Sequence, residues 1–316
     1  MKEISFSYNN YIKSYHFFAF PLGILATDDS AYRNWLLGRF IGLTYGNVLQ
    51  YDEAAYDDWE IINDKLYRTL AIDDFDELIK DTINTSQVFH LWGVNEKYIP
   101  QTPSYQEDDF IHDLLITGYD KLGNITIVNY GDDSLLTKKV VHINDLKNSF
   151  TPQTQGRRFN ILFDKISPLP PENIICSLQH YVAPHNAFEL QYYDTILNPK
   201  HEMVVGIHAV KEFINSLRQN FYRGSHLNGI CLLNEQKTSI MSCLIYLNSL
   251  GLITADLCNE YKKIASSSKN IKLKYLKFLF SQDEAIINKI ILDLEKMLCD
   301  EIDILNNILL NSTISK

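Results

Sequence analysis

Short apolar or alternating runs recur between residues 86 and 164: SQVFHLWGV, HDLLITGYD, ITIVNYG, KVVHI and RFNILFD, each set off by turn residues. Runs of this length and pattern read as strands of one mostly antiparallel sheet. HDLLITGYD and ITIVNYG flank the turn KLGN, where Gly123 and Asn124 supply the backbone freedom of a tight reversal, so the pair reads as a β-hairpin. Outside this block the spacing is helical. YDEAAYDDWEIINDKL and IDDFDELIKDTI carry apolar residues at helical intervals, and a helix is expected around Pro21, which a first turn tolerates. Pro170-Pro171-Glu172 marks a further helix start, running into ICSLQHYV.

From VVGIHAVKEFINSLRQNF onward the pattern stays helical. The last helix is the clearest: Ser281 and Glu284 fit a capping box, and Ile287, Ile290, Ile291, Leu294, Met297, Leu298, Ile302 and Leu305 share one face. The expected architecture is therefore α+β: an α+β core over residues 1–165, and a mainly helical region over 166–316 packed on it.

Composition narrows the function classes. A net charge of −10, without a basic stripe, argues against a nucleic-acid backbone as partner. The N-terminus shows no signal-peptide core and no apolar run approaches a membrane span, so a cytoplasmic protein that meets no membrane is expected. The five cysteines, Cys176, Cys231, Cys243, Cys258 and Cys299, form no CxxC pair and read as reduced thiols. GRFIG at 38–42 lacks the features of a phosphate loop, and the nine histidines include no HExxH or HxH cluster, so neither a nucleotide nor a metal is expected.

Chemistry enters with His112, at the head of the first hairpin strand, and Asn129, near the end of the second. The hairpin brings both to the same end of adjacent strands. A histidine beside an amide is what a thiol hydrolase or transferase uses: the imidazole takes a proton and the amide fixes its tautomer. A buried histidine and a turn asparagine are the plainer alternative.

The segment VFHLWGVNEKYIPQTPSYQEDDFIHDLLITGYD, with Tyr98-Ile99-Pro100, Tyr105, His112 and Gly118-Tyr119-Asp120, resembles the central part of the BtrH-like proteins of butirosin biosynthesis. It is also similar to the C39 peptidases in its histidine, strand and GYD signature. The resemblance implies a papain-like cysteine-protease fold. It further implies acyl or peptidyl transfer from a carrier-protein thioester to an amine acceptor, in nonribosomal peptide or thioamide antibiotic pathways such as that for closthioamide. No cofactor is implied beyond the phosphopantetheine arm that carries the substrate.

Under that resemblance His112 is the general base, Asn129 the orienting residue, and the nucleophile falls in SYHFFAFPLGIL, which holds no cysteine; its counterpart is Ala19. Three explanations follow: an inactive cysteine-to-alanine form, a non-catalytic binding relative, or a displaced nucleophile at Ser14 or Ser30. Hydrolysis, by a peptidase or thioesterase, is the other reaction such a site performs. His16 is a possible substrate contact, Trp92 a possible pocket wall, and Asn9 or Asn10 a possible oxyanion donor. Asp108, Asp109 and Asp113 could draw an amine, and Arg157 and Arg158 could meet an acidic carrier protein.

Overall fold

The computed structural model describes residues 2–52, 59–131, 135–183, 203–219 and 225–312. The chain is α+β, with an antiparallel sheet and a helical C-terminal region. It divides into two compact units: residues 1–10, 16–32 and 56–166 form the first, and residues 11–15, 33–55 and 167–316 the second. Residues 11–15 and 33–55, read above as part of the α+β core, thus group with the helical region.

The first unit holds β1 (Lys2–Glu3), α1 (His16–Leu25), the start of α2 (Asp29–Leu36), β4 (Ile62–Tyr67), α3 (Phe75–Asn84), β5 (Val88–Asn95), β6 (Ile111–Tyr119), β7 (Asn124–Tyr130), β8 (Leu136–His142), α4 (Ile143–Asn148) and β9 (Phe150–Ile161). Its sheet runs β4-β9-β5-β6-β7-β8, with β1 added to β6, and every pairing is antiparallel. The β6–β7 hairpin turns at Asp120–Gly123, where Gly123 takes a φ of +83° and the Asp120 carboxylate accepts the N–H groups of Leu122 and Asn124.

One face of this sheet is the core. Phe89, Leu91, Val94, Leu114, Ile116, Ile125 and Ile127 pack against Phe75, Ile79 and Ile83 of α3 and Ile143 and Leu146 of α4. Successive strand residues alternate between faces, so His90, Trp92 and Asp113 lie on the other face, where α1 meets β9 and Phe20 packs edge-on to His90.

Three local expectations are corrected. WEIINDKL, read as helical, runs into the edge strand β4, whose Asn63, Asp64, Lys65 and Leu66 are all exposed, and pairing with β9 along the whole strand outweighs the helical spacing. The rest of that reading, residues 53–58, lies outside the described residues. Pro21 is not in a first turn. It sits in the interior of α1, where it withholds an N–H from the Phe17 carbonyl. The last helix is capped by Asp283, whose carboxylate accepts the Ala285 N–H, because Ser281 ends the preceding helix and Gln282 turns the chain through a φ of +54°.

The second unit contains β2 (Leu43–Tyr45), β3 (Leu49–Tyr51) and β10 (Val204–Val205) as a small sheet ordered β10-β2-β3, with helices α5 (Pro171–Val182), α6 (Gly206–Gln219), α7 (Ser225–Ser249), α8 (Ala255–Ser281) and α9 (Glu284–Asn311). α5 opens on Pro171 at its first position. α7, α8 and α9 pack in succession. A polar network lies among them. Lys237 donates to Glu301 at 2.7 Å, to the Tyr181 hydroxyl at 3.0 Å and to Gln236 at 2.5 Å, and Glu301 also accepts from Tyr181 and Tyr261. All three ammonium protons and both carboxylate oxygens are engaged, which is what lets a charge pair stay fully buried. Among the described residues no helix is long and apolar enough to cross a membrane.

Candidate functional site

The site lies wholly in the first unit, at the end of the sheet where β6 begins. β5 is bulged there. Gly93 takes a φ of +74°, Trp92 pairs with Asp113, and Val94 pairs with His112. A Cβ on Gly93 would stand 2.8 Å from the Gln153 carbonyl oxygen, so backbone approach and positive φ both demand glycine.

After the bulge the chain turns through a short 3-10 segment, Glu96–Tyr98. Asn95 secures it: its Oδ1 accepts the N–H groups of Lys97 and Phe110, and its Nδ2 donates to Asp109. The Glu96 backbone is held at both ends, its N–H donating to the Phe110 carbonyl and its carbonyl accepting the Thr102 hydroxyl. Glu96 is therefore fixed before its side chain is considered, and that side chain is only 2% exposed.

Glu96 Oε1 accepts two hydrogen bonds, from His112 Nδ1 at 2.9 Å and from Asn129 Nδ2 at 2.9 Å. This corrects the expected geometry. Asn129 is at the same end of the hairpin as His112, but its amide holds the Glu96 carboxylate rather than the ring. The ring-orienting group is a carboxylate, with the amide one step behind it. Asn129 Oδ1 is buried and has no hydrogen-bond partner among the described residues. Rotating the amide would not help, since it would set two oxygens against each other.

The opposite face contributes a second arrangement. Asp113 Oδ2 lies 3.0 Å from His16 Nε2 and 3.4 Å from His90 Nε2. Burial pushes the Asp113 carboxyl up, but the hydrogen bonds from His16 and His90 outweigh it and hold the group far below the usual carboxylate range. Burial pushes the His90 imidazole down, against the pull of Asp113, so the neutral ring is favoured there. His16 is the first residue of α1 and stands edge-on to His112, with ring centroids 4.8 Å apart at 84°. The side chains of His112 and His16 are about one-fifth exposed, at 20% and 22%. Phe110 and Tyr130 flank the His112 ring.

Ala19 lies one turn into α1 and is 0% exposed, its carbonyl accepting from Asn10 Nδ2. The residue that α1 presents to His112 is His16. Asn10, the expected oxyanion donor, is buried, with its amide donating to the Ala19 carbonyl and its Oδ1 accepting the Tyr32 hydroxyl. Ser30 is exposed in the first turn of α2, and Ser14 belongs to the second unit, where its N–H meets Glu235. Trp92 packs against His90. Arg157 pairs with Asp64 and Arg158 with Asp81, so both are engaged within the unit. Asp109 is tied to Asn95 and Lys97, while Asp108 is exposed.

Glu96 and His90 were not singled out in the sequence. Glu96 sits in a turn between strands, where an acidic residue is ordinary, and His90 lies inside an apolar run. The available signal was the run itself: a strand apolar on both faces is covered on both, so any ionisable residue in or beside it is buried. Among the described residues no group of three or more histidine, cysteine, aspartate or glutamate side chains could hold a metal ion. What the fold and site define is an α+β protein with two carboxylate-held histidines at one sheet end. No protein-family model matches the chain, and no curated protein matches it.

Proposed function

We propose that the first unit is an acyl-handling site of papain-like descent. On this reading it passes an acyl or peptidyl group from a carrier-protein thioester to an amine, in peptide or thioamide natural-product assembly. The observation that carries the reading is Glu96 joining His112 to Asn129, at a strand end faced by the start of a helix. His112 is the general base. With Nδ1–H donated to Glu96, its Nε2 carries the lone pair.

Position 19 offers no nucleophile, so the acceptor amine attacks the thioester carbonyl directly. A C–N bond forms, the amine proton passes to His112 Nε2, the C–S bond breaks, and the sulfur departs as a thiolate, balanced by the proton now held on His112. Ala19 also favours a second reading, a protein that binds a carrier-held acyl group without turning it over.

The test is incubation of the chain with an acyl-N-acetylcysteamine thioester and an excess of amine, followed by mass spectrometry. The expected result is amide without an acylated protein, reduced at least ~10²-fold in His112→Gln, the range of a lost general base. Free acid predominating at saturating amine reassigns the site to hydrolysis. Saturable binding without product supports the binding protein, and neither binding nor product refutes acyl handling.

A further inference from the structure

His16 is not used by the reaction above, yet it has every geometric attribute that makes His112 useful. Its Nε2 is held by a carboxylate at 3.0 Å. Its ring is partly exposed and stands 4.8 Å from His112. The orienting nitrogens differ: His112 is held through Nδ1, leaving Nε2, whereas His16 is held through Nε2, leaving Nδ1. Neither remaining nitrogen has a hydrogen-bond partner among the described residues. The two carboxylates come from different parts of the sheet: Glu96 follows the bulged strand on the core side, and Asp113 is on the α1 side. The two imidazoles meet where those sides converge.

We propose that His16 and His112 work as an acid–base pair: His112 on Glu96 removes the proton from the nucleophile, and His16 on Asp113 delivers one to the departing group. This assignment rests on the acyl-transfer reading for its substrate, but not for the pairing itself. In that reaction the amine proton goes to His112 Nε2 as the C–N bond forms. The proton on His16 Nδ1 goes to sulfur as the C–S bond breaks, so free thiol leaves. Turnover ends with His112 protonated and His16 neutral, and proton exchange between the neighbouring rings or with water restores the start.

Asp113 is suited to the acid side. His16 Nε2 lies 3.0 Å and His90 Nε2 3.4 Å from its carboxylate, which is held ionised, and an ionised carboxylate is the partner that suits an imidazole acting as a proton donor. The titratable groups facing His16 among the described residues are Asp113, His112 and Tyr130, with His90 sharing Asp113. Those facing His112 are Glu96, His16 and Tyr130.

Two measurements test this on the full chain. The first needs no substrate: nitrogen-15 NMR of the histidine side chains across pH 5–8. His112 should show the Nδ1–H tautomer when neutral, and His16→Gln should displace the midpoint of His112. A His112 midpoint indifferent to His16→Gln overturns the pairing.

The second uses leaving-group dependence. His16→Gln should slow transfer from an alkyl thioester by ~10²-fold and from a thiophenyl ester only a few-fold, since an aryl thiolate departs without help. His112→Gln should slow both. Equal losses in His16→Gln with both esters would make His16 a packing residue. If wild type turns over no thioester while the NMR coupling is present, the substrate reading fails and the pair stands.

Discussion

Glu235 offers the most quantitative test of the second unit. It is a buried carboxylate on α7 that accepts the backbone N–H of Lys13 at 2.9 Å, that of Ser14 at 3.3 Å, and the Tyr51 hydroxyl at 3.2 Å. Burial pushes its carboxyl from an ordinary 4.5 up to about 7, with the hydrogen bonds from Lys13 and Ser14 offsetting only part of the penalty. Between those values the folded chain holds a proton that the unfolded chain has released. Folding stability therefore contains a contribution that is complete below pH 4.5 and is lost as pH rises toward 7. At ~1.4 kcal/mol per pH unit the loss is about 3 kcal/mol. Glu235→Gln keeps the shape and one acceptor but cannot titrate. Urea unfolding followed by far-UV circular dichroism, from pH 4.5 to 8, should show wild type losing about 3 kcal/mol more than the variant over that range. Asp52, pushed up to about 6 by burial, acts with the same sign, so the variant keeps some slope of its own. Parallel profiles for the two proteins would refute the reasoning.

Other perturbations have equally definite outcomes. Lys237→Met leaves the Glu301 carboxylate buried and should cost about 3–5 kcal/mol in urea unfolding, whereas Lys237→Met with Glu301→Leu should recover most of it. Gly93→Ala, at a φ of +74° and against the Gln153 carbonyl, should cost more than about 1 kcal/mol and broaden the His112 side-chain resonances. Glu96→Gln should abolish the Nδ1–H preference of His112 in nitrogen-15 NMR and reduce any transfer by ~10²–10⁴-fold, while Asn129→Ala should do less of both. Because position 19 is fully buried, a thiol introduced by Ala19→Cys should react with iodoacetamide more slowly than the exposed Cys176 and Cys299; faster labelling would return that position to candidacy as a nucleophile.

Periodicity carried the hairpin, the central strands and the long helices because their burial is local: strand alternation and helical spacing repeat within a few residues. It failed at β4, where Asn63, Asp64 and Lys65 follow one another without strand alternation and only the pairing with β9 decides. It could not show that residues 11–15 and 33–55 join the helical unit, since that grouping depends on partners such as Glu235, some 220 residues away from Lys13. On α9 the hydrophobic face was legible, yet its pattern included Ile302 and passed over Glu301, which is the buried residue. A carboxylate is assigned to solvent by any hydrophobicity rule. Only Lys237, Tyr181 and Tyr261, from three other helices, make its burial possible.

The same limitation hid Glu96, and there it changes the chemistry. A histidine and an asparagine at one hairpin end imply an amide that fixes a tautomer and carries no charge. A buried carboxylate in that place orients the ring and also stabilises the positive charge the ring acquires on taking a proton. Asn129 then keeps the carboxylate in register without competing for the ring. The duplicate on the other face, Asp113 beneath His16, extends the logic: two imidazoles, each backed by an anion, can exchange protons with a substrate at two different atoms. A nucleophilic thiol would make one of those histidines redundant. On the proposed reading, alanine at position 19 and histidine at the start of α1 leave the two imidazoles, not a thiol, to carry the proton transfers.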